Sequence, residues 1–203
     1  MTAGGLRMER RAVASDNQIN ERVIEDCRRG DREAFRLLFE TYRDRVYSVS
    51  LYYFKGDEAL AHDVTQQVFL KLMTRINQFR QDAEFTTWLY RMVVNACMDE
   101  QRRLRRFLPF GDGFGMRVKT QEERSQEEHY ARVELADCVK AAISDLRPKL
   151  RLPILLKYVE GLTYDEIADV LHCSKGTVAS RLNRGHKILA RRLAHLRGAL
   201  ACE

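Results

Sequence analysis

Apolar residues recur at three- and four-residue spacing through most of this chain, the period of a helix with one buried face. Arg32 to Tyr53 shows it plainly, with Phe35, Leu38, Phe39, Tyr42, Val46, Val49 and Leu51 on or near one stripe. A shorter segment, Ile19 to Arg28, precedes it; Gly30 then suits a helix stop and Asp31 an N-cap. Asp57 or Gly56 opens a third segment through Met73, with Leu60, Val64, Val68, Phe69 and Leu72 on one side. Phe79 to Glu84 breaks the pattern and reads as a loop. Phe85 to Arg106 restores it in a helix that carries the sole tryptophan, Trp88. Runs of β-branched residues are few, and prolines occur only at 109, 148 and 153. An all-α protein is expected.

The second half repeats the theme after an interruption. From Phe107 to about Tyr130 the apolar period is lost and Gly111, Gly113 and Gly115 cluster, which marks a flexible linker. Ala131 to Leu146 is helical by spacing. Pro148 opens a further helix running to Glu160, with Pro153 in its early turns and Gly161 as its stop. Leu162 to Leu182 then forms two short helices around a tight turn. Thr163 and Glu166 fit a capping box, and Ser174 is a plausible N-cap for the following helix. Ile167, Ala168 and Leu171 pack on Val178 and Leu182, which leaves Ala179, Ser180, Asn183, Arg184 and Lys187 facing away.

Charge sharpens this picture. The 203 residues carry a net charge of +6, and from Val170 to Cys202 there is no Asp or Glu against Lys175, Arg181, Arg184, Lys187, Arg191, Arg192 and Arg197. Solvated helices usually mix both signs, so a polyanion is the expected partner, bound with counterion release from phosphates. A basic second helix after a tight turn is how a protein offers a helix to the DNA major groove. The bland alternative is a solvated hairpin kept soluble by arginines. With 45% hydrophobic and 32% charged residues the chain supports real cores, in one or two domains.

No apolar run approaches the ~20 residues that span a bilayer, and the N-terminal tail lacks a signal peptide's apolar centre. A cytoplasmic protein is expected. Its five cysteines are scattered without a CxxC pair and suit buried small apolar groups or free thiols. His172 and Cys173 are adjacent, but with no second ligand pair a turn is the better reading.

Phe79, Phe85, Trp88 and Tyr90 lie close in sequence to Arg91, Arg102, Arg103, Arg105 and Arg106. Aromatics beside cations suit stacking on unpaired bases. Trp88 fits a core position equally well, since large aromatics dominate burial. At this point a resemblance becomes specific. Phe85-Thr86-Thr87-Trp88-Leu89-Tyr90-Arg91 with Asn95, Asp99, Arg102 and Arg103 resembles region 2 of bacterial RNA polymerase sigma factors. Asp63 to Lys71 resembles the polymerase-binding helix of the same domain. Leu162 to Leu193, with Gly176-Thr177-Val178 and Ser180-Arg181-Leu182, resembles region 4. Two such domains on a short linker resemble the extracytoplasmic-function (ECF, group IV) sigma factors.

The resemblance implies a helical bundle over 19–106 and a helix-turn-helix domain over 131–203, with a flexible tail at 1–18 and the linker at 107–130. It implies a transcription initiation factor that recognises and opens promoters, not an enzyme, with no cofactor or metal. Its partners would be core RNA polymerase, through the β′ clamp and the β flap, promoter DNA and an anti-sigma factor. When free it would be a monomer, without membrane insertion. Asp63, Gln66, Gln67, Phe69 and Lys71 would dock on the clamp. Phe79, Arg80, Gln81, Asp82, Ala83, Trp88, Arg91 and Asn95 would engage the −10 element, where a flipped base costs a few kcal/mol of unstacking. Ala179, Ser180, Asn183 and Arg184 would face bases of the −35 element, and Lys175, Thr177, Arg181 and Lys187 its phosphates. Gln67 and His62 stand where relatives commonly carry acids, and Ala179 replaces a frequent Lys or Arg, so base preference does not transfer. Arg184 on a guanine edge is the best assignment for direct readout.

Two rival classes make different demands. A two-domain regulator with a sensory N-terminal half would bind paired half-sites as a dimer without polymerase. A nucleic-acid-processing enzyme would need a nucleophile–base pair, clustered acidic ligands or a phosphate-cradling loop. Gly111 to Gly115 lacks the GK[ST] ending and a preceding strand.

Overall fold

The computed structural model describes residues 21–80, 84–107 and 138–197, the backbone alone at 107, 196 and 197. The described residues form helices and turns only. In order these are α1 (Glu21–Arg28), α2 (Arg32–Tyr53), α3 (Glu58–Arg75), a 3-10 turn (Ile76–Gln78), α4 (Phe85–Phe107), α5 (described over 138–144), α6 (Pro148–Tyr158), α7 (Tyr164–Val170), α8 (Lys175–Arg192) and a final 3-10 turn (Ala194–Arg197). None is long and apolar enough to cross a membrane. The tail at 1–18, the linker at 108–130 and residues 131–137 lie outside the described residues.

Helix ends are set where the sequence places them. Asp31 accepts from the backbone N–H of Glu33 and Ala34 and so caps α2, and Asp57 accepts from Leu60 and caps α3. Gly30 takes φ +84, and the N–H groups of Gly30 and Asp31 return to the carbonyls of Cys27 and Asp26, closing α1 in a Schellman turn. Pro148 starts α6 as expected. Pro153 falls at its sixth residue, beyond the first turn, where its missing N–H leaves the Lys149 carbonyl without a helical donor.

The first bundle packs α2, α3 and α4 around Leu38, Tyr42, Val46, Val49, Val64, Val68, Leu72, Leu89 and Val93, all buried. The second packs α6, α7 and α8 around Leu152, Ile154, Leu156, Ile167, Val178 and Leu182. Gly185 permits the closest approach there: a Cβ on it would lie 3.2 Å from Ile154 Cγ1. The two bundles touch directly, α2 against α6 and α4 against α7, and buried apolar side chains run from one into the other.

Cys27 and Cys97 are buried thiols in the first bundle. Burial, aided at Cys27 by Asp31 and Asp26, pushes Cys27 from 9.0 up to about 11, and burial pushes Cys97 up to about 12. Below pH 9 both thiols are protonated in the folded and unfolded chain and add no pH dependence. Above it the unfolded thiols lose protons that the folded ones keep, so the unfolded state gains. Stability is expected to fall as pH rises from 9 towards 12, and Cys27→Ala/Cys97→Ala should flatten that slope in urea titrations taken along the pH series.

Candidate nucleic-acid and polymerase interfaces

The helix-turn-helix is built from its caps. Thr163 Oγ1 accepts from the Glu166 N–H at 3.2 Å while a Glu166 carboxylate oxygen accepts from the Thr163 N–H at 2.7 Å, the expected capping box. At the other end of α7, His172 adopts φ +48. Its N–H reaches the Asp169 carbonyl and that of Cys173 reaches the Ala168 carbonyl, a Schellman turn with histidine where glycine is usual. The His172-Cys173 pair is therefore turn geometry. Ser174 Oγ then accepts from the Thr177 N–H at 3.2 Å and starts α8.

On α8 the buried residues are Val178, Leu182 and Gly185. Ser180, Asn183, Arg184 and Lys187 are exposed on one side, three and four residues apart, and Ala179 is half-buried beside them. Of the expected phosphate contacts, Lys175 is exposed and 2.8 Å from Asp165, a surface pair of little energetic weight. The Thr177 hydroxyl lies 2.9 Å from that of Ser174, and Arg181 leans back 3.8 Å from Cys173 Sγ. The open face of α8 is therefore made by Ser180, Asn183, Arg184 and Lys187.

On α3, Asp63, Gln66 and Gln67 are exposed and Lys71 half-buried. Phe69 is placed differently from a docking side chain. It is 8% exposed, with its ring edge-on to Phe39 at 4.8 Å. Around that pair runs a groove lined by Arg32, Phe35, Arg36, Phe39, Phe69 and Met73. Met73, one of its lining residues, and Leu70, three residues before it on α3, are 53% and 63% exposed. These two escaped the sequence reading, although both lie off the buried stripe of α3 and so were visible as apolar residues with no intramolecular role.

The loop after α3 begins at Phe79, which is 4% exposed and packs against Phe85 and Trp88 at 5.5 and 5.4 Å. Its ring belongs to the core, and its carbonyl accepts from the Arg28 guanidinium. Arg80 is exposed; Gln81, Asp82 and Ala83 lie outside the described residues. Trp88 is half-buried, so it both packs in this cluster and reaches the surface. Arg91 and Asn95 follow on α4, Asn95 exposed and Arg91 half-buried, with its Nε donating to the Asp169 carbonyl at 3.0 Å. Among the described residues, no group of three His, Cys, Asp or Glu is arranged to hold a metal.

Comparison with known proteins decides between the classes. Residues 38–107 match the family described as Sigma-70 region 2, and residues 136–189 match Sigma-70, region 4. The chain is 32% identical over 183 residues to the ECF RNA polymerase sigma-E factor of Escherichia coli K12, covering 86% of this chain and 94% of that protein. This chain belongs to the ECF RNA polymerase sigma factors. It is also 29% identical to the ECF RNA polymerase sigma factor SigW of Bacillus subtilis, over 85% of this chain and 96% of the relative. The same fold occurs in CnrH, solved with the cytosolic domain of CnrY, at TM-score 0.61 and 22% identity over 85% of this chain and 96% of CnrH. It occurs again in RpoE of Bartonella quintana, solved with the anti-sigma factor NepR, at TM-score 0.62 and 21% identity over 79% and 96%. As a member of a sigma factor family, the chain is a transcription initiation factor.

The left-handed turn at His172 yields a prediction about this domain. A side chain in that conformation costs about 1–2 kcal/mol, and glycine in the unfolded chain returns about 0.5–1 of it. His172→Gly is therefore expected to stabilise the protein by about 0.5–1 kcal/mol, seen as a higher urea midpoint at unchanged slope.

Proposed function

We propose that this sigma factor docks on core RNA polymerase through α3 and the apolar groove beside it, and reads promoters with α8 and α4. The observation that carries this reading is the exposed face of α8, four residues free of carboxylates on a helix fixed by a capped turn. Ser180, Asn183 and Arg184 are assigned to bases of the −35 element, with Lys187 on a phosphate. Arg80, Trp88, Arg91 and Asn95 are assigned to the −10 element, with Phe79, buried, supporting Trp88 from the core. Leu70 and Met73 join Asp63, Gln66 and Gln67 as polymerase contacts, because large apolar groups exposed next to a groove mark an interface.

The functional division is assigned to 19–106 and 131–203, with the linker between them. The protein acts on DNA in the cytoplasm, breaks no covalent bond and is controlled by an anti-sigma factor. Support for that control comes from the two solved relatives of the same fold, each determined with a partner protein. Run-off transcription with core polymerase and a promoter library tests the whole reading: promoter-dependent transcripts are expected, and their absence together with no stable holoenzyme would refute it.

Two substitutions refine the assignment. Leu70→Asp alters a residue 63% exposed, so helicity and melting should hold. Core polymerase binding should weaken at least about tenfold, the effect of losing one anchor at 1.4 kcal/mol per decade; pull-down titration of core enzyme measures it. Arg184→Ala should cost about 1–3 kcal/mol at a single −35 position. A randomised −35 selection that returns the wild-type preference would move direct readout to Ser180 or Asn183.

A further inference from the structure

Arg28 ends α1, and its side chain leaves that helix for the start of the loop between α3 and α4. One guanidinium nitrogen donates to the Phe79 carbonyl, 51 residues away, and another donates to Glu25 Oε2 at 3.1 Å, one turn back on α1. The turn at Gly30 and Asp31 fixes where α1 stops and so where Arg28 stands. α1 packs on α2 and on the 3-10 turn Ile76–Gln78, with Ile24 and Cys27 buried. It lies outside residues 38–107, the part that matches Sigma-70 region 2.

Phe79 is thereby held at two points. Its ring, buried, packs on Phe85 and Trp88 at 5.5 and 5.4 Å, and its carbonyl is bound by Arg28. A bond from an ionised donor is shorter and about twice as strong as a neutral one. With ring and main chain both fixed, the direction in which the backbone leaves the core for Arg80 is set, and so is the surface behind Trp88. Anchoring α1 does not require this arginine. Ile24 and Cys27 already do that by burial, and Arg28 Nε is buried without an acceptor, which costs desolvation. What the arginine adds is the fixed carbonyl.

We propose that Arg28 is a positioning residue for promoter recognition, which holds the Phe79 carbonyl from α1 and so keeps Arg80 and Trp88 in the geometry that discriminates bases of the −10 element. The inference rests on the reading of Arg80, Trp88 and Asn95 as −10 contacts; Arg28 itself touches no base. A base taken out of the stack costs free energy, and contacts that must first be ordered return less of it than contacts already in place. Base discrimination at −10 therefore depends on Arg28, while polymerase binding and −35 recognition do not.

Arg28→Met keeps an unbranched apolar stem on α1 and removes the donor. This variant and the wild-type chain are each assembled with core polymerase, and run-off transcripts are sequenced from two promoter libraries, one randomised in the −10 element and one in the −35 element. Discrimination between the preferred and the next base at −10 should weaken about tenfold, the size of one charge-assisted hydrogen bond, with the −35 preference unchanged. Arg28→Lys, which retains a cationic donor, should fall between Arg28→Met and wild type. The proposal is overturned if Arg28→Met keeps the wild-type −10 preference, even with transcription uniformly weaker, as a lost phosphate contact or a weakened fold would give. It is overturned equally if the −10 and −35 preferences relax together. Should Arg28→Met lose helicity, Arg28→Gln, whose shorter side chain stops before the carbonyl, is judged by the same criteria. Arg80→Ala/Asn95→Ala, at two exposed positions, is run in parallel. If that double variant leaves the −10 preference intact, the −10 reading fails and this proposal with it; if it relaxes the preference and Arg28→Met does not, the positioning role alone fails.

Discussion

The arrangement of this protein depends on charged groups that cross from one bundle to the other and are satisfied only there. Glu160 follows the C-terminus of α6, where the helix dipole disfavours a carboxylate, and it is taken out of water. Arg45 and Tyr90 of the other bundle make that burial tolerable. Removing one partner of such a pair costs about 3–5 kcal/mol, because the survivor stays buried and unpaired. Arg151 is bound by the same logic. Burial pulls its guanidinium below its ordinary pKa, and backbone carbonyls from both bundles offset the lost hydration. Neither bundle completes its own hydrogen bonding at this surface.

That dependence extends to the helix-turn-helix. α7 has seven residues, too short to persist alone, and is held by a capping box at one end and a Schellman turn at the other. Arg91 adds a third constraint by capping its last turn from α4. α7 in turn supplies the apolar wall, through Ile167 and Val170, for Val178 and Leu182 of α8. The direction in which Ser180, Asn183 and Arg184 point is thus set partly within their own domain, by Gly185 against Ile154, and partly by α4.

Local features were legible in the sequence because their causes are local. Asp31, Asp57, Thr163 with Glu166, and Ser174 cap the helices that the apolar period outlines, since a cap needs only a side chain within three residues of its N–H. The basic face of α8 followed from the spacing of Val178 and Leu182. Phe79 was harder, an aromatic at the end of an element that only the positions of Phe85 and Trp88 turn inward; Phe69, midway along α3, stood both on the apolar stripe and among the docking residues, and its packing on Phe39 puts it on the stripe. The seam between the bundles was out of reach. Arg91, Arg151 and Arg45 find their partners 78, 98 and 115 residues away, and an arginine on a helix reads as solvated until the facing helix is placed. Pro153 did not break the reading of α6, whose helix runs through it as the spacing on both sides requires.

The seam joins two kinds of contact. An interface closed by Leu or Val gains free energy for every apolar Å² removed from water. Arg91 on a helix C-terminus is different, since the carbonyl it meets carries a fraction of a charge. The exposed residues of α3 and the exposed face of α8 take no part in the seam. The second bundle covers α2 through α6 and α4 through α7, and on α4 the cover includes a hydrogen bond from Arg91 to the Asp169 carbonyl beside the apolar contact.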